Sequence, residues 1–323
     1  PLPRSKDFLL MSAESSTANS VLASASTALS PEASLAATSR GNSQLRRNLK
    51  RFLVGNRLNF IGLCLVVLFF FLAIFGQAIA PHDPYAQDIT GSKLLSPSLT
   101  HPMGTDELGR DILSRVMAGT RISLQVAVVV LTFAVLFGTL VGSIAGYFGG
   151  IVDELLMRFT DMFLAFPALI LAIAIAASLG RELYWTMVAL ATVFWPWYAR
   201  LIRGQILTIR ERDFVTAGES IGLTGQQLLI RHILPNAISV VIIQLTLDVG
   251  YAILATSSLS FIGLGAQPPS PEWGTMMSTA RNYFREGWWY ITFPGVALTL
   301  TVFAFNILGD GLQDALDPRS GRR

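Results

Sequence analysis

Apolar residues are concentrated in six stretches along the chain, and each stretch is near or above the length that crosses a bilayer. They cover approximately residues 60–79, 122–147, 162–179, 183–206, 238–265 and 288–308. A membrane helix needs about 20 such residues to pass through roughly 30 Å of hydrocarbon. The pattern therefore predicts an all-α membrane protein with six transmembrane helices.

The third stretch gives the weakest signal. Residues 151–161, which precede its apolar part, alternate between apolar and charged side chains. This alternation is typical of a helix that lies in the membrane interface. The alternative topology has five spans and a re-entrant third segment, but it would place the basic cluster between Arg200 and Arg231 outside the membrane.

Basic residues set the predicted orientation, because cytosolic segments of membrane proteins carry an excess of Lys and Arg. They occur in three groups: Arg46, Arg47, Lys50, Arg51 and Arg57, then Arg200, Arg203, Arg210, Arg212 and Arg231, and finally Arg319, Arg322 and Arg323. With six spans all three groups lie on the same side. The N-terminus, the connection between the fourth and fifth spans and the C-terminus are therefore predicted to be cytosolic.

Composition divides the chain into three parts. Residues 1–45 are rich in Ser, Ala and Thr and show no apolar period, which predicts disorder. Residues 46–59 form a basic cytosolic lead-in, and residues 60–323 form the transmembrane domain. Within this domain we expect an external segment at 81–121 and a cytosolic loop at 207–235.

The overall composition excludes a water-soluble enzyme. Hydrophobic residues make up 52% of the chain and charged residues only 14%, against about 25% charged residues in soluble domains. The net charge of +3 follows from the basic residues that set the orientation. It gives no reason to expect a nucleic-acid partner, and membrane lipid is the expected surrounding.

Side chains suited to chemistry are sparse. Cys64 is the only cysteine, so neither a disulfide nor a thiolate metal cluster can form within the chain. The predicted topology distributes His82, His101 and His232 over two sides of the membrane, and we therefore expect no metal site. Nucleotide-binding and metalloprotease motifs are absent from the sequence. We expect no catalytic residue and no cofactor in this chain, so any ATP hydrolysis must take place on another chain.

Three glycines recur at four-residue intervals in the second stretch, at Gly138, Gly142 and Gly146. Small residues at this spacing leave a smooth groove on one face of a helix and allow a neighbouring helix to approach closely. Helix packing is the expected role, with a hinge as the alternative.

Asp248 is the one acidic residue well inside a predicted span. An unpaired carboxylate in the hydrocarbon costs several kcal/mol, so this side chain must face protein or water. Two interpretations remain open. The carboxylate either lines a cavity and meets a cationic group on the cargo, such as a peptide amino terminus, or it is paired or hydrogen-bonded to a neighbouring helix.

A polar insert with the sequence DFVTAGESIGLTGQQLLIRHILPN separates the fourth and fifth stretches. It is typical of two short helices joined at Gly222, since glycine suits the left-handed residue that ends a helix. Asp213 is predicted to cap the first helix. Thr224 and Gln227 have the spacing of a capping box for the second.

The same insert has features that suit a partner surface. Pro235 is predicted to end the second helix. Small residues on the first helix allow another surface to approach, and larger apolar residues can fill a groove in a partner. The small residues are Ala217 and Gly218, and the apolar ones are Phe214, Val215, Ile221 and Leu223.

This insert resembles the signature loop of bacterial ABC importer permeases. That pattern runs Glu-Ala-Ala, three residues, Gly, nine residues, then Ile-x-Leu-Pro, and its fixed positions fall here on Thr216, Ala217, Gly218, Gly222, His232, Leu234 and Pro235. Thr216 stands in place of Glu, Gly218 in place of the second Ala, and His232 in place of Ile. A role of the usual Glu therefore cannot be transferred to this chain.

Three further motifs extend the resemblance over most of the chain from Arg51 to Arg319. They are HPMGTDELGRDILSR at 101–115, LSFIGLG at 259–265 and QPPSPEWGTMM at 267–277. These motifs, in this order, are similar to those of the second permease subunit in dipeptide, oligopeptide and nickel importers.

The resemblance implies the type I ABC importer permease fold and a location in the bacterial plasma (inner) membrane. Two homologous permease subunits would form the pathway, two cytosolic ATPase subunits would bind ATP and Mg²⁺, and an extracytoplasmic binding protein would deliver the cargo. The cargo implied is a di- or oligopeptide, with nickel or another small solute as the alternative. The implied ATPase-coupling residues are Phe214, Val215, Thr216, Ala217, Gly218, Glu219, Gly222, Leu223 and Pro235.

An ion-coupled secondary transporter or channel is the alternative from another class. It predicts broken helices, several intramembrane ionisable residues and internal repeats. Asp248 is nearly alone in the predicted spans, and the sequence shows no evident repeat. The capped cytosolic insert would also remain unexplained.

Overall fold

A computed structural model describes residues 57–316, and this part of the chain is built from helices joined by turns. In chain order the helices are α1 (Arg57–Ile79), α2 (Ile112–Phe148), α3 (Gly150–Leu164), α4 (Ala168–Leu179), α5 (Leu183–Arg210), α6 (Asp213–Ser220), α7 (Gly225–Leu228), a π-turn (Leu229–Ile233), α8 (Leu234–Phe261), α9 (Trp273–Ala280), a 3-10 turn (Arg281–Tyr283) and α10 (Trp288–Leu316). The predicted disordered region 1–45, the basic residues before Arg57 and the arginines after residue 316 lie outside the described residues.

Four helical stretches within residues 57–316 are long and apolar enough to cross a membrane. They are α1, α2, the stretch Gly225–Phe261 and the stretch Trp288–Ala315. The bent pair of α3 and α4 raises the number to five if it is counted as one span. Helix α5 has the length of a span, but its second half carries Arg200 and Arg203 and it is not in this group. The all-helical class is confirmed. Length and composition identify four to five candidate spans in this part of the chain, and six spans stay a prediction.

The third predicted stretch is a broken segment. Helices α3 and α4 meet at an angle of 82°, and Pro167 precedes the first residue of α4. Proline disfavours a helical conformation in the residue before it, so Phe166 interrupts the helix. Helix α4 has 12 residues, which corresponds to a length of about 18 Å. This is short of the bilayer thickness, so α4 alone does not make the single straight span that the apolar stretch predicts.

The glycines of α2 lie against α5. A Cβ atom at Gly138 or Gly142 would meet backbone atoms of α5, at Trp195 and Ala199 respectively. A Cβ at Gly146 would lie 3.1 Å from the carbonyl oxygen of Arg203. The two helices therefore touch through their backbones over two turns, which only residues without a side chain permit.

Replacing Gly142 with alanine is expected to destabilise the chain by about 1–3 kcal/mol, because the added methyl group forces two backbones apart. Gly204 on α5 is the matched control, since a Cβ there meets nothing within 4 Å. Gly204→Ala should instead stabilise the chain by about 0.4–1 kcal/mol through the unfolded state. Unfolding in mixed detergent micelles measures both changes, and equal effects of the two variants would contradict the close approach of α2 and α5.

Two buried apolar clusters hold the helices together. The first includes Leu131 of α2, Ile202 of α5 and Leu259 of α8. The second includes Phe69 of α1 and Trp273 of α9, together with residues of α10. Because Met103 of the external segment packs against the second cluster, this segment is fixed to the helices beneath it.

Candidate functional site

The loop predicted to be cytosolic, which keeps the name cytosolic loop below, begins with α6, whose first residue is Asp213. The N-cap position belongs to Arg212, which makes no side-chain cap hydrogen bond. The prediction that Asp213 caps this helix is therefore wrong by one position. As the first helical residue, Asp213 still places a negative charge at the positive end of the helix dipole, which is favourable.

Gly222, two residues after the end of α6, has the left-handed conformation that the sequence predicts. The φ angle of Gly222 is 82°. Its N–H donates to the carbonyl of Glu219 at 3.0 Å, and the N–H of Leu223 donates to the carbonyl of Gly218 at 3.1 Å. These two bonds make a Schellman motif, which satisfies carbonyls that the helix end would leave unpaired. The direction in which the chain leaves α6 is thereby fixed.

The nine predicted coupling residues differ in how far they are buried within the chain. Val215 and Gly218 are buried, and a Cβ at Gly218 would meet the side chain of Leu228. These two residues pack against the chain itself, so the surface left for a partner is formed by the other predicted coupling residues. Leu223 is half-buried, and the remaining six are exposed: Phe214, Thr216, Ala217, Glu219, Gly222 and Pro235. Ile221, beside them, is 79% exposed.

The second half of the loop starts with the predicted capping box. The N–H of Gln227 donates to Thr224 Oγ1 at 3.4 Å, and the N–H of Thr224 donates to Gln227 Oε1 at 2.9 Å. Both halves of the box are present, which confirms the sequence prediction. The box satisfies two donors at the start of α7.

Pro235 does not end the second helix, contrary to the sequence prediction. It occupies the first turn of α8, where a missing N–H is tolerated. The π-turn precedes it, and the N–H of Leu234 donates to the carbonyl of Leu229. Residues Gly225–Phe261 therefore form one continuous helical stretch. The capped second half of the loop and a membrane helix therefore belong to the same helical stretch.

Two arginine side chains connect α5 to α3. Arg203 makes a bidentate pair with Asp153 of α3, at 2.5 and 2.6 Å. Arg200 donates to Asp161 Oδ1 at 2.5 Å. The sequence indicates these arginines as orientation signals only, because the acids that pair with them lie about 40 to 50 residues away in the chain.

The end of α5 is also joined to the end of α2. Arg210 Nη1 donates to the carbonyls of Gly146 and Tyr147, at 3.2 and 2.7 Å. Its guanidinium lies 5.4 Å from the centroid of the Tyr147 ring, within the range of a cation–π interaction. The residues that lead into α6 are therefore anchored to two other helices.

Asp248 is hydrogen-bonded inside the helical bundle. Its Oδ2 accepts from Tyr198 Oη at 2.7 Å, and its Oδ1 accepts from Gln244 Nε2 at 2.9 Å. Tyr198 lies on α5, so the contact with a neighbouring helix that the sequence allows is present. Asp248 nevertheless stays half-exposed, and each of its oxygens can accept a further hydrogen bond.

The external segment is organised around Asp106, whose side chain is fully buried. Its Oδ1 accepts from the N–H groups of Leu108 and Arg110, each at 2.9 Å, and its Oδ2 accepts from Arg110 Nε at 2.6 Å. Arg115 Nε lies 3.5 Å from the same Oδ2. One carboxylate therefore holds two buried guanidinium groups.

The external motifs that the sequence places 150 residues apart meet in space. Arg115 Nη1 donates to the carbonyl of Pro84 at 3.0 Å, and Nη2 reaches the carbonyls of Pro269 and Ser270 at 3.3 and 3.4 Å. Trp273 Nε1 donates to the carbonyl of Val116 at 3.0 Å. The start of α2 and the loop before α9 thus form one cap, which we call the external cap after the side of the membrane predicted for it.

Glu272 joins this cap to α8. It caps α9 by accepting from the N–H of Thr275 at 2.8 Å, and its other oxygen accepts from Ser257 Oγ at 2.7 Å. The side chain is buried, as are both of its partners. The sequence motifs contain Asp106, Arg115 and Glu272. They do not indicate which residues these side chains contact.

Two histidines of the external segment come together, which the sequence-based distribution of three histidines does not predict. The rings of His82 and His101 stack with centroids 4.7 Å apart. Both approach the carboxylate of Asp111. His232, the third histidine, lies in the π-turn of the cytosolic loop.

Residues 138–322 match the family described as "binding-protein-dependent transport system inner membrane component". Residues 43–97 match the family described as "N-terminal TM domain of oligopeptide transport permease C". The matched regions contain the cytosolic loop, α5, α8 and the cap residues before α9. The chain belongs to the family of inner-membrane permease subunits of binding-protein-dependent ABC transporters, and it is a multi-pass inner-membrane protein.

Curated relatives resemble the chain over most of its length. A probable D,D-dipeptide transport system permease protein of Escherichia coli K12 is 43% identical over 269 residues, which is 83% of this chain and 90% of that protein. A dipeptide transport system permease protein of Alkalihalophilus pseudofirmus is 43% identical over 264 residues, covering 82% and 86%. A di/tripeptide transport system permease protein of Pseudomonas aeruginosa is 42% identical over 264 residues, covering 80% and 87%.

Permease subunits of this family are not catalytic. The family also implies, in general terms, a separate ATPase and an extracytoplasmic binding protein as partners.

Proposed function

We propose that this chain is one of two homologous permease subunits of an ATP-driven importer of short peptides. The single observation that carries the proposal is the identity of 42% or more to relatives named for dipeptide and di/tripeptide transport. The full proposal includes six membrane spans, with α5 and the bent pair α3 and α4 each counted as one span. Both termini are then cytosolic, as the basic residues indicate.

Two ATPase subunits bind on the cytosolic side and hold ATP and Mg²⁺, whereas this chain binds neither. The exposed face of α6 is the contact surface for one ATPase subunit, with Phe214 and Ile221 as apolar groups that enter its groove. This assignment is supported by their exposure of 40% and 79% in a cytosolic loop whose backbone is otherwise capped and hydrogen-bonded. A surface with a fixed shape loses little entropy when it docks.

Movement passes from α6 to the membrane through two connections. The Schellman motif fixes how the chain leaves α6, and the continuous stretch Gly225–Phe261 extends from the capping box into the bundle. On the other side of α6, Arg203 and Arg210 hold the end of α5 to α3 and α2. Closure of the ATPase pair on ATP then shifts these helices together as a rigid body, and no bond is broken in this chain.

Asp248 is the proposed contact for the cationic amino terminus of the peptide in the pathway. Its hydrogen bonds to Tyr198 and Gln244 hold the carboxylate in position and leave acceptor capacity on both oxygens. The external cap, built on Asp106 and Arg115, is the proposed docking surface for the binding protein.

Uptake measurements in cells that lack this chain test the proposed function. Labelled di- and tripeptides should enter only when the wild-type chain is restored, and nickel uptake should not change. A mild-detergent pull-down of the complemented chain should recover a second permease, ATPase and binding protein. If cells that lack the chain take up peptides normally but no longer take up nickel, the chain is instead assigned to nickel import. Recovery of the chain alone, with proton-coupled uptake in liposomes, would assign it to the secondary transporters.

Replacing Asp248 with asparagine is expected to lower uptake of peptides with a free amino terminus by about tenfold, equivalent to about 1.4 kcal/mol. The amide keeps the shape of the side chain and removes its charge. Uptake of an N-acetylated peptide measured in parallel should change little. Asp310→Asn is the control, because Asp310 is an exposed residue in the last helix. Wild-type uptake together with reduced thermal stability would show that Asp248 has a purely structural role.

A further inference from the structure

Three side chains of the external segment converge on one point. His101 Nδ1 lies 2.9 Å from Asp111 Oδ1, and His82 Nδ1 lies 3.8 Å from Asp111 Oδ2. One donor atom from each residue lies within 4.8 Å of the other two. The three residues come from separate parts of the chain: the start of the external segment, a turn in its middle, and the N-cap of α2.

The carboxylate at the centre of this group is held rigidly. Asp111 Oδ2 accepts from the N–H and the Oγ of Ser114, at 2.8 and 2.7 Å. The N–H of His82 donates to the same Ser114 Oγ at 3.1 Å. Hydrogen bonds of this kind orient a metal-binding carboxylate and raise the affinity of the site.

The three side chains differ in their exposure to water, and the order of exposure suits a bound ion. The side chain of Asp111 is 1% exposed, that of His101 15% and that of His82 42%. The carboxylate is therefore shielded from water, whereas the His82 side is open to the exterior. An ion can enter from that side and keep a water molecule as a further ligand.

We propose that His82, His101 and Asp111 form a binding site for a divalent transition-metal ion of the zinc class. Two imidazole nitrogens and one carboxylate oxygen are a typical three-residue set for Zn²⁺, with water in the fourth position. Mg²⁺ and Ca²⁺ prefer sets made of oxygen atoms only, so they are excluded by the two nitrogen donors. Donor atoms about 2 Å from one tetrahedral ion lie about 3.3 Å from each other. The pair at 2.9 Å must therefore separate slightly and the pair at 3.8 Å must approach slightly.

The ion replaces a proton between His101 and Asp111. Without metal, an Nδ1 proton of His101 bridges the 2.9 Å between the two side chains. A metal at this position binds Nδ1, and the neutral ring carries its proton on Nε2 instead. The ion then links the start of the external segment to the first turn of α2, which closes a loop of about 30 residues and limits its motion.

Zinc titration of the purified full chain tests the proposal. The chain should carry a tag without histidine, and Zn²⁺ should be titrated in competition with a chromophoric chelator. We expect one equivalent of Zn²⁺ to bind the wild-type chain. His82→Gln and His101→Gln should each weaken binding at least tenfold, and Zn²⁺ should raise the unfolding temperature of the wild type but of neither variant.

The sequence supplies the matched control, because the chain has three histidines and one cysteine in total. His232→Gln, in the cytosolic loop, should bind Zn²⁺ as the wild type does. If His101→Gln does not fold, His82→Gln decides the question. The His82 ring is half-exposed, and its replacement leaves the bond between His101 and Asp111 intact. Equal Zn²⁺ affinity in the wild type and in His82→Gln, or no binding by the wild type, would overturn the proposal.

Discussion

Replacing Gly222 with arginine is expected to release the ATPase from the transporter while the chain still inserts into the membrane. The φ angle of Gly222 is 82°, and a side chain in this conformation costs about 1–2 kcal/mol. The position is also exposed, and a Cβ there meets nothing within 4 Å of the chain itself. The arginine side chain would therefore project from the proposed contact face. A pull-down in mild detergent measures how much ATPase remains bound.

Two further variants separate backbone strain from the loss of the contact. Gly263 has nearly the same conformation, with a φ angle of 86°, and also has open space around it. It lies in the turn after α8, at the other end of that helix, so Gly263→Arg should retain the ATPase. Gly222→Asn should retain most of it as well, because asparagine tolerates the left-handed conformation. If Gly222→Arg and Gly263→Arg retain equal amounts of ATPase, the assigned contact face is wrong.

Replacing Asp106 with alanine is expected to destabilise the chain by about 3–5 kcal/mol, the usual cost of removing one partner from a buried ion pair. The change leaves the side chains of Arg110 and Arg115, which are 4% and 3% exposed, without their shared carboxylate. The N–H groups of Leu108 and Arg110 also lose their acceptor. Unfolding midpoints in mixed detergent micelles measure the loss.

A surface ion pair provides the comparison for Asp106. Arg158 and Glu154 approach to 3.6 Å with side chains 74% and 67% exposed, and Glu154→Gln should change stability by less than about 1 kcal/mol. Asp106→Asn should fall between the two, because the amide oxygen still accepts from the backbone while the charge is lost. A midpoint for Asp106→Ala equal to that for Glu154→Gln would show that the buried network contributes little to stability.

Features that depend on a few neighbouring residues could be predicted from the sequence. The left-handed Gly222 and the capping box of Thr224 and Gln227 are both local, since the residues that satisfy each other lie within a turn. The apolar stretches likewise predict helices. Apolar side chains avoid water, and in lipid a helix satisfies the hydrogen bonds of its own backbone. The bend near Pro167 was harder to foresee, since the apolar pattern continues on either side of it.

Features that depend on contacts across the fold could not be predicted in the same way. Gly218 is buried because the side chain of Leu228, across the loop, lies against it, and Val215 is buried in the first apolar cluster. No local pattern specifies either contact. Pro235 lies in the first turn of α8, directly after a π-turn, and the local sequence does not indicate this turn. The meeting of His82 and His101 depends on turns that bring together residues separated by 19 positions.

The π-turn before α8 affects the direction that the cytosolic loop faces. A π-turn holds one residue more than the α-helical pattern requires, and each helical residue corresponds to a rotation of about 100°. The extra residue at Leu229–Ile233 therefore sets the rotational phase between α7 and the membrane helix that follows it. Loss of a single residue here would turn the loop by about a quarter of a circle around the axis of α8. The length of this one turn therefore sets the direction that the loop faces relative to α8.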